Sequence, residues 1–258
     1  MIFWTLFLPL TALFFILFFQ FIDVIFRGKK RPFLIREKQE FKIPKREVYS
    51  TCINLLLFAG AGFLVGWAIH NNYSFVHRKT PSTVVEFLAF PFTFFLALGI
   101  HDLYFYCTHR LLHYGFIFKH VHIPHHKSHE VTPWSAFSFH PVEAIVQIGI
   151  IVLLAFFLPM HEGVLIAFSV LLFLISVYGH CGYELRVNKW EGFNVFNTSF
   201  HHYQHHKEVH YNFGLYLNVW DKLFRTSSPN YDRGFNALKK SVQQKQKDSS
   251  IHNPIHGE

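Results

Sequence analysis

The stretch "MIFWTLFLPLTALFFILFFQFIDVIF" (residues 1–26) decides the class of fold, because it is almost wholly apolar and ends at the basic segment "RGKKR". A helix that crosses the hydrocarbon of a bilayer needs about 20 such residues. A secretory signal would begin with basic residues and end at a small-residue cleavage site. No basic residue precedes Arg27, so we expect this stretch to stay in the protein as a membrane anchor.

Further apolar runs occupy residues 49–70, 84–106, 142–159 and 162–179. Only "PMHEG" separates the last two, which predicts a tight helical hairpin. In the second run of the chain, Gly60, Gly62 and Gly66 are suited to close helix contacts in lipid. The 258 residues are 51% hydrophobic and include 33 phenylalanines. These features predict an all-α, multi-pass membrane helical bundle of about four to five transmembrane helices.

Positive charge lies beside the apolar runs, which argues for membrane topology and against nucleic-acid binding despite the net charge of +8. With five spans and the N-terminus outside, the inside segments are 27–48, 107–141 and 180–258. These segments hold all Lys and Arg residues except Arg78 and Lys79. Cytoplasmic loops carry such an excess. We therefore expect a histidine-rich helical cap on the cytoplasmic face of a bacterial inner membrane or of the endoplasmic reticulum.

Eight of the twenty histidines fall into three short boxes. The boxes are His-x-x-x-His at His109 and His113, His-x-x-His-His at His122, His125 and His126, and the same pattern at His202, His205 and His206. Residues at i, i+3 and i+4 share one face of an α-helix, so we expect each box to aim its imidazoles together. An accidental tract would not repeat this spacing. We interpret the boxes as metal ligands.

Eight imidazoles exceed the three or four protein ligands of one zinc ion, so two metal ions are the economical number. A carboxylate-bound iron pair would need Glu-x-x-His, and haem needs only one or two axial histidines. A pair of iron ions bound by imidazole fits best, although zinc could replace iron in purified protein. Two alternatives stay open. One is a zinc-dependent membrane hydrolase, although the pattern His-Glu-x-x-His is absent. The other is a metal or proton transporter, which would favour polar residues inside the spans.

The phrases "HRLLH", "HIPHH" and "HHYQHH" resemble the three histidine boxes of the membrane-bound fatty acid hydroxylase/sterol desaturase superfamily. The phrases "HDLYFYCTHRLLH", "HHKSHEVTPWSAFSFHPVEA" and "YNFGLYLNVWDKLFRT" are similar to its sterol desaturase branch in particular. The resemblance covers residues 100–226. It implies a non-haem di-iron oxygenase that uses dioxygen and two external electrons to hydroxylate or desaturate a C–H bond of a sterol-like or fatty acyl lipid.

The resemblance also implies residues beyond the boxes. A further ligand is expected before the third box, and His180 in "YGHCGYE" is the candidate. His140 in "FHPVEA" is expected to support the site without binding metal, and Asp102 could orient a ligand because it lies two helical turns before His109. Three nearby histidines are expected to stay outside the ligand set, namely His120, His129 and His201. The expected ligands are His109, His113, His122, His125, His126, His180, His202, His205 and His206.

A separate electron donor is implied, ferredoxin-like or b-type cytochrome-like with its reductase. The chain has no Gly-x-Gly-x-x-Gly fingerprint, and its three cysteines form no cluster. The lipid substrate would come from the bilayer. Because coordination needs neutral imidazole, we expect acid to release the metal near the ordinary pKa of about 6.5.

Three parts of the chain are expected. They are the N-terminal transmembrane helices with a basic loop (1–99), the catalytic domain with the hairpin 142–179 (100–226), and a polar, frayed C-terminal tail (227–258).

Overall fold

The computed structural model describes residues 1–25, 35, 43–184 and 195–251, and the part of the chain described is mostly helical. Most of the basic loop, the segment 185–194 and the last seven residues lie outside the described residues. The helices are α1 (Ile2–Ile25), α2 (Lys45–His70), α3 (Val84–Leu112), α4 (Gly115–Ile117), α5 (Ile123–His126), α6 (Pro141–Phe157), α7 (Glu162–His180), α8 (Ser199–Glu208), α9 (Val219–Leu223) and α10 (Tyr231–Ile251).

Four of these helices, α1, α2, α3 and α7, are long and apolar enough to cross a membrane. The predicted all-α, multi-pass membrane bundle is therefore confirmed. Helix α6 has 17 residues, fewer than the 20 or so of a typical span. A connection of only four residues, 158–161, joins it to α7. Whether a fifth crossing exists and which face is cytoplasmic stay predictions.

Helices α1 and α2 pack closely at two of the three glycines that the sequence predicts to make close helix contacts. A Cβ atom added to Gly62 would lie 2.0 Å from the carbonyl oxygen of Trp4, and one added to Gly66 would lie 2.9 Å from the Cα of Met1. Nothing lies within 4 Å of the same position at Gly60. Two glycines thus let the backbones of α1 and α2 touch.

One end of the bundle is closed by a small polar assembly. Two-residue strands, β1 (Val76–His77) and β2 (Met160–His161), pair in parallel there. Glu162, the first residue of α7, accepts hydrogen bonds from Arg78 (2.6 Å) and from the indole of Trp4 (2.8 Å). Helices α3 and α7 both begin near this assembly and run away from it. Their C-terminal ends, with the histidines that they carry, meet at the opposite end.

The C-terminal tail is not frayed over residues 231–251, so that expectation is wrong. Apolar residues recur at Tyr231, Phe235, Leu238 and Val242, which is the spacing of an amphipathic helix. They pack on α8, where the ring of Phe235 lies 5.8 Å from that of Phe200, and Val242 is fully buried. The tail is polar on average, so its composition alone does not show this apolar stripe.

Candidate metal centre

Nine histidines meet at the end of the bundle where α3 and α7 terminate, and they form two clusters. The first cluster contains His109, His113, His122, His126 and His205, and the second contains His125, His180, His202 and His206. Within each cluster, one ring nitrogen from every member lies within 4.8 Å of all the others. These are the nine histidines that the sequence singles out. Seven are buried, and His113 and His202 are partly buried.

The clusters do not follow the boxes, so the expectation that each box aims its rings together is wrong for the second and third boxes. His122 and His126 belong to the first cluster, whereas His125 belongs to the second. The third box divides in the same way, with His205 apart from its other two members. Residues four apart lie on one side of a helix, but adjacent residues point about 100° apart. Each of these boxes therefore serves both clusters.

The outer nitrogen, Nδ1, is tied to a backbone carbonyl in three cluster histidines. The bonds run from His109 to Phe213 (2.9 Å), from His180 to Ser176 (2.8 Å) and from His205 to Tyr211 (2.6 Å). A ring that donates from Nδ1 carries its lone pair on Nε2. The hydrogen bonds thus fix both the orientation and the tautomer of these rings.

The inner nitrogens, Nε2, converge within each cluster. The Nε2–Nε2 distances are 3.1 Å for His126–His122, 3.2 Å for His126–His113 and His126–His205, 3.0 Å for His202–His180, 3.2 Å for His202–His206 and 3.4 Å for His180–His125. Two nitrogens bound at about 2.1 Å to one ion, at a right angle, lie about 3.0 Å apart. Converging lone pairs repel one another unless a cation lies between them. The donor set therefore fits metal ions that imidazole binds, such as iron or zinc.

Some box histidines lie outside the transmembrane helices. Burial favours their neutral form, which is the form that binds metal. Loss of solvation, together with the neighbouring imidazoles, lowers the pKa of His126 to about 2. The same causes hold the pKa values of His113, His122 and His205 well below the ordinary value of 6.5. We therefore expect acid to release the metal at a lower pH than the value of about 6.5 that the sequence alone predicts.

A buried carboxylate, Glu143, supports the first cluster, and sequence reasoning missed it. The Nδ1–H of His122 donates to Oε1 of Glu143 at 2.8 Å, and both side chains are 1% exposed. Glu143 lies in the first turn of α6. The only signal in the sequence was its place in the phrase "FHPVEA". A carboxylate on the outer nitrogen orients the ring and raises the basicity of the inner one.

Asp102 acts on the centre through the backbone rather than on a ligand ring. Its Oδ1 accepts the backbone N–H groups of Tyr216 (3.0 Å) and Leu217 (3.3 Å), and its Oδ2 accepts the indole N–H of Trp220 (2.9 Å). The segment held in this way continues from Phe213, whose carbonyl receives the His109 hydrogen bond. Among the described contacts, Asp102 therefore reaches a cluster ring only through this segment, and its role in orienting a ligand stays a prediction.

His140, expected to support the site, caps α6. Its Nδ1 accepts the backbone N–H of Val142 at 3.2 Å, which completes the first turn of the helix. Glu143 stands in that same turn and contacts His122. Among the described contacts, His140 therefore reaches a cluster ring only through the helix that it caps.

A second buried carboxylate, Asp221, was also missed by sequence reasoning. It is fully buried and accepts the backbone N–H groups of Phe213 and Gly214, both at 2.8 Å, and the hydroxyl of Thr226 at 2.8 Å. A Cβ atom on Gly214 would lie 2.9 Å from Asp221 Oδ2, so glycine is needed for this approach. The phrase "YNFGLYLNVWDKLFRT" contains both residues but does not reveal that they touch.

The three histidines expected to stay outside the ligand set lie outside both clusters. His120 is exposed and donates to the carbonyl of Phe116, and His129 is exposed. His201 is buried, with its Nε2 3.5 Å from Asp221, and belongs to neither cluster.

A cavity of about 880 Å³ lies beside both clusters and extends into the apolar part of the bundle. Cluster histidines line one part of it, namely His109, His122, His125, His180 and His202. Phe58, Leu98, Phe173 and Phe95 line other parts of the cavity. Phe95 lies fourteen residues before His109 on α3. At 1.5 Å per residue, that distance is about 21 Å along α3. The cavity can hold an apolar molecule with one end at the histidines.

Residues 94–226 match the family model of fatty acid hydroxylases. Lathosterol oxidase of Rattus norvegicus is 32% identical over 156 residues, which cover 59% of this chain and 51% of the relative. The Delta(7)-sterol 5(6)-desaturase of Leptosphaeria maculans is 28% identical over 186 residues, or 72% of this chain and 50% of the relative. The chain thus spans about half the length of these curated relatives. No solved structure gives a significant match.

The matched segment contains all nine cluster histidines as well as Asp102, Glu143 and Asp221. It begins six residues before the stretch whose phrases carry the resemblance. The chain is an integral membrane protein that belongs to the fatty acid hydroxylase family, in its sterol desaturase branch.

Proposed function

We propose that this protein is a membrane-bound oxidoreductase that binds two iron ions and uses dioxygen and external electrons to hydroxylate or desaturate a C–H bond of a lipid. The observation that carries the proposal is the arrangement of nine imidazoles in two convergent clusters beside an apolar cavity. The five members of the first cluster would hold one iron and the four members of the second would hold the other. Bound there, the iron pair would supply activation of dioxygen and oxidation of an unactivated carbon.

The chain itself would orient the metal ligands and exclude water from the site. Backbone carbonyls hold the rings of His109, His180 and His205, so that their lone pairs face inward. Glu143 would strengthen His122 as a ligand. The apolar wall around Phe58 and Phe173 would exclude water from the carbon to be oxidised.

The proposed substrate is a sterol-like lipid, with a fatty acyl lipid as the less favoured choice within the same chemistry. Support comes from the relatives, whose names specify lathosterol and Delta(7)-sterols. An apolar cavity that begins inside the bundle would let the substrate arrive from the bilayer. Hydroxylation and desaturation both begin with removal of a hydrogen from the same kind of carbon, so the site is compatible with either outcome.

We further propose that residues 100–226 form the catalytic domain, that residues 1–99 anchor it and that residues 227–258 form a C-terminal extension. The histidine clusters would face the cytoplasm, where a separate ferredoxin-like or b-type cytochrome-like donor with its reductase would deliver electrons. Support for the cytoplasmic side comes from the charge distribution along the chain.

The test is to purify the protein without oxygen, measure bound metals, and then add dioxygen, a reductant and lathosterol. We expect about two irons per chain, and oxygen consumption coupled to an oxidised sterol seen by mass spectrometry. A redox-silent zinc protein that hydrolyses an ester or amide would contradict the proposal. Zinc found after aerobic purification would not, because zinc displaces ferrous iron from nitrogen ligands.

A further inference from the structure

One side chain in the wall of the cavity has buried polar atoms with nothing to bind. The amide of Asn197 lines the cavity, and its Nδ2 and Oδ1 are both buried without a hydrogen-bond partner in the part of the chain described. Its backbone is fixed, because the N–H of Asn197 donates to the carbonyl of Tyr216 at 2.8 Å. Buried amides in folded proteins almost always have partners. The free amide therefore indicates a ligand group that is bound during function.

Several other polar groups of the wall are already engaged. The hydroxyl of Tyr216 lies 2.8 Å from Nδ1 of His101, the hydroxyl of Ser176 donates to a carbonyl of its own helix, and Asp102 accepts three N–H groups. Glu143 has one oxygen without a partner, but its other oxygen holds a cluster histidine. Among the wall side chains with buried polar atoms that lack a partner in the part of the chain described, Asn197 differs because it offers both a donor and an acceptor. A hydroxyl group has the same pair of functions and is its natural complement.

The position of Asn197 also gives a direction along the cavity. It immediately precedes Thr198, the N-cap of α8, and α8 carries the third histidine box. The amide therefore lies at the histidine end, whereas Phe95 and Leu98 line the wall deeper in the bundle. An amphipathic lipid would place its polar group at the first end and its hydrocarbon at the second.

We propose that the Asn197 amide binds the hydroxyl of the lipid substrate and that the lipid enters the cavity with its polar end toward the metals. This inference rests on the proposed function, because it assigns the polar anchor of that substrate. The carbon that is oxidised then lies within a few bonds of the carbon that bears the hydroxyl. Oxidation at the far end of a hydrocarbon chain does not fit this orientation.

The experiment measures equilibrium binding of two sterols to the purified, metal-loaded protein in one detergent. The probes are lathosterol and cholest-7-ene, which is the same hydrocarbon without the hydroxyl. Wild type is compared with Asn197→Leu, which keeps the size of the side chain but removes its hydrogen bonds. Asn71→Leu is the matched control, because Asn71 is exposed at the far end of α2. Comparing the ratio of the two affinities between variants cancels the partition of each sterol into micelles.

We expect wild type and Asn71→Leu to favour lathosterol by about tenfold more than Asn197→Leu does. Asn197→Asp, which retains an acceptor but not the donor, should give an intermediate ratio and serves if the leucine variant fails to fold. An equal ratio in wild type and Asn197→Leu overturns the inference while leaving the proposed function intact. Failure of the wild type to bind either sterol overturns the proposed substrate class and the inference with it.

Discussion

The Nδ1–H of His122 donates to Oε1 of Glu143 at 2.8 Å, although the two residues belong to different segments of the cap and both are almost inaccessible to solvent. The hydrogen bond directs the lone pair of His122 toward the first cluster. It also leaves the second oxygen of Glu143 buried without a partner among the described residues. A carboxylate in this position has no evident structural use apart from the histidine that it holds.

Replacement of Glu143 by alanine should therefore weaken metal binding at the first cluster by about 10- to 100-fold. Glu143→Gln should weaken it less, because the amide oxygen can still accept the His122 N–H. The measurement is metal content after dialysis against a graded series of chelator concentrations. Equal retention by wild type and Glu143→Ala would show that the hydrogen bond does not support a metal ligand.

The two clusters should lose metal separately when each loses a ligand that only it contains. His113→Ala removes a ring from the first cluster and His180→Ala removes one from the second. We expect metal content to fall from about two ions per chain toward one in either variant. His120→Ala is the control, because His120 is exposed and outside both clusters. Retention of both ions in either cluster variant would contradict the assignment.

Metal release by acid should begin well below the ordinary pKa of imidazole. Because burial lowers the pKa of His126 to about 2, protons compete with the metal less than they would at a free histidine. Metal content should stay constant from pH 7 to about pH 5.5 and fall only in stronger acid. A hexahistidine peptide loaded with the same metal provides the comparison and should release it near its pKa of about 6.5. Coincident release curves would refute the expectation.

Asp221→Ala should destabilise the segment that holds the first cluster. The substitution leaves two backbone N–H groups and the Thr226 hydroxyl without their acceptor. The loss should be about 3 kcal/mol, or a fall of about 5–10 °C in the unfolding midpoint of the detergent-solubilised protein. Asp221→Asn, which retains one acceptor, should lose less. An unchanged midpoint in Asp221→Ala would argue against this support.

Contact between α1 and α2 should fail when a side chain is placed at Gly62. Gly62→Val puts a Cβ atom 2.0 Å from the Trp4 carbonyl oxygen, so the helices must separate at a loss of about 3 kcal/mol. Gly60→Val is the matched control, because nothing lies within 4 Å of that position. Thermal unfolding in detergent should distinguish the two variants. Equal midpoints would mean that the helices can separate without loss.

The apolar runs and eight of the nine clustered histidines could be predicted from the sequence because their signals are local, whereas His180, which lies in no box, was implied by the family resemblance. A span is visible as a run of apolar residues, and a box is visible as i, i+3, i+4 spacing. The division of the second and third boxes between clusters was not predictable, because it depends on how α5 and α8 are rotated relative to each other. Spacing along one helix contains no information about that rotation.

The supporting carboxylates were missed for a related reason. Glu143 and Asp221 act on groups that folding brings to them from other elements or from the far side of a turn. The stripe of α10 was overlooked because its partner, Phe200, lies thirty-five residues before Phe235. In each case the residue type was visible in the sequence, but its neighbour was set by the path of the chain.

Because His125 and His126 are adjacent in α5 yet belong to different clusters, the two clusters share one rigid piece of backbone. The same holds for His205 and His206 in α8. The spacing between the two clusters is therefore set by the helical step between neighbouring residues, both in α5 and in α8. A displacement of α5 or α8 would therefore move histidines of both clusters at the same time, so the distance between the two proposed metal positions depends on these two helices keeping their places.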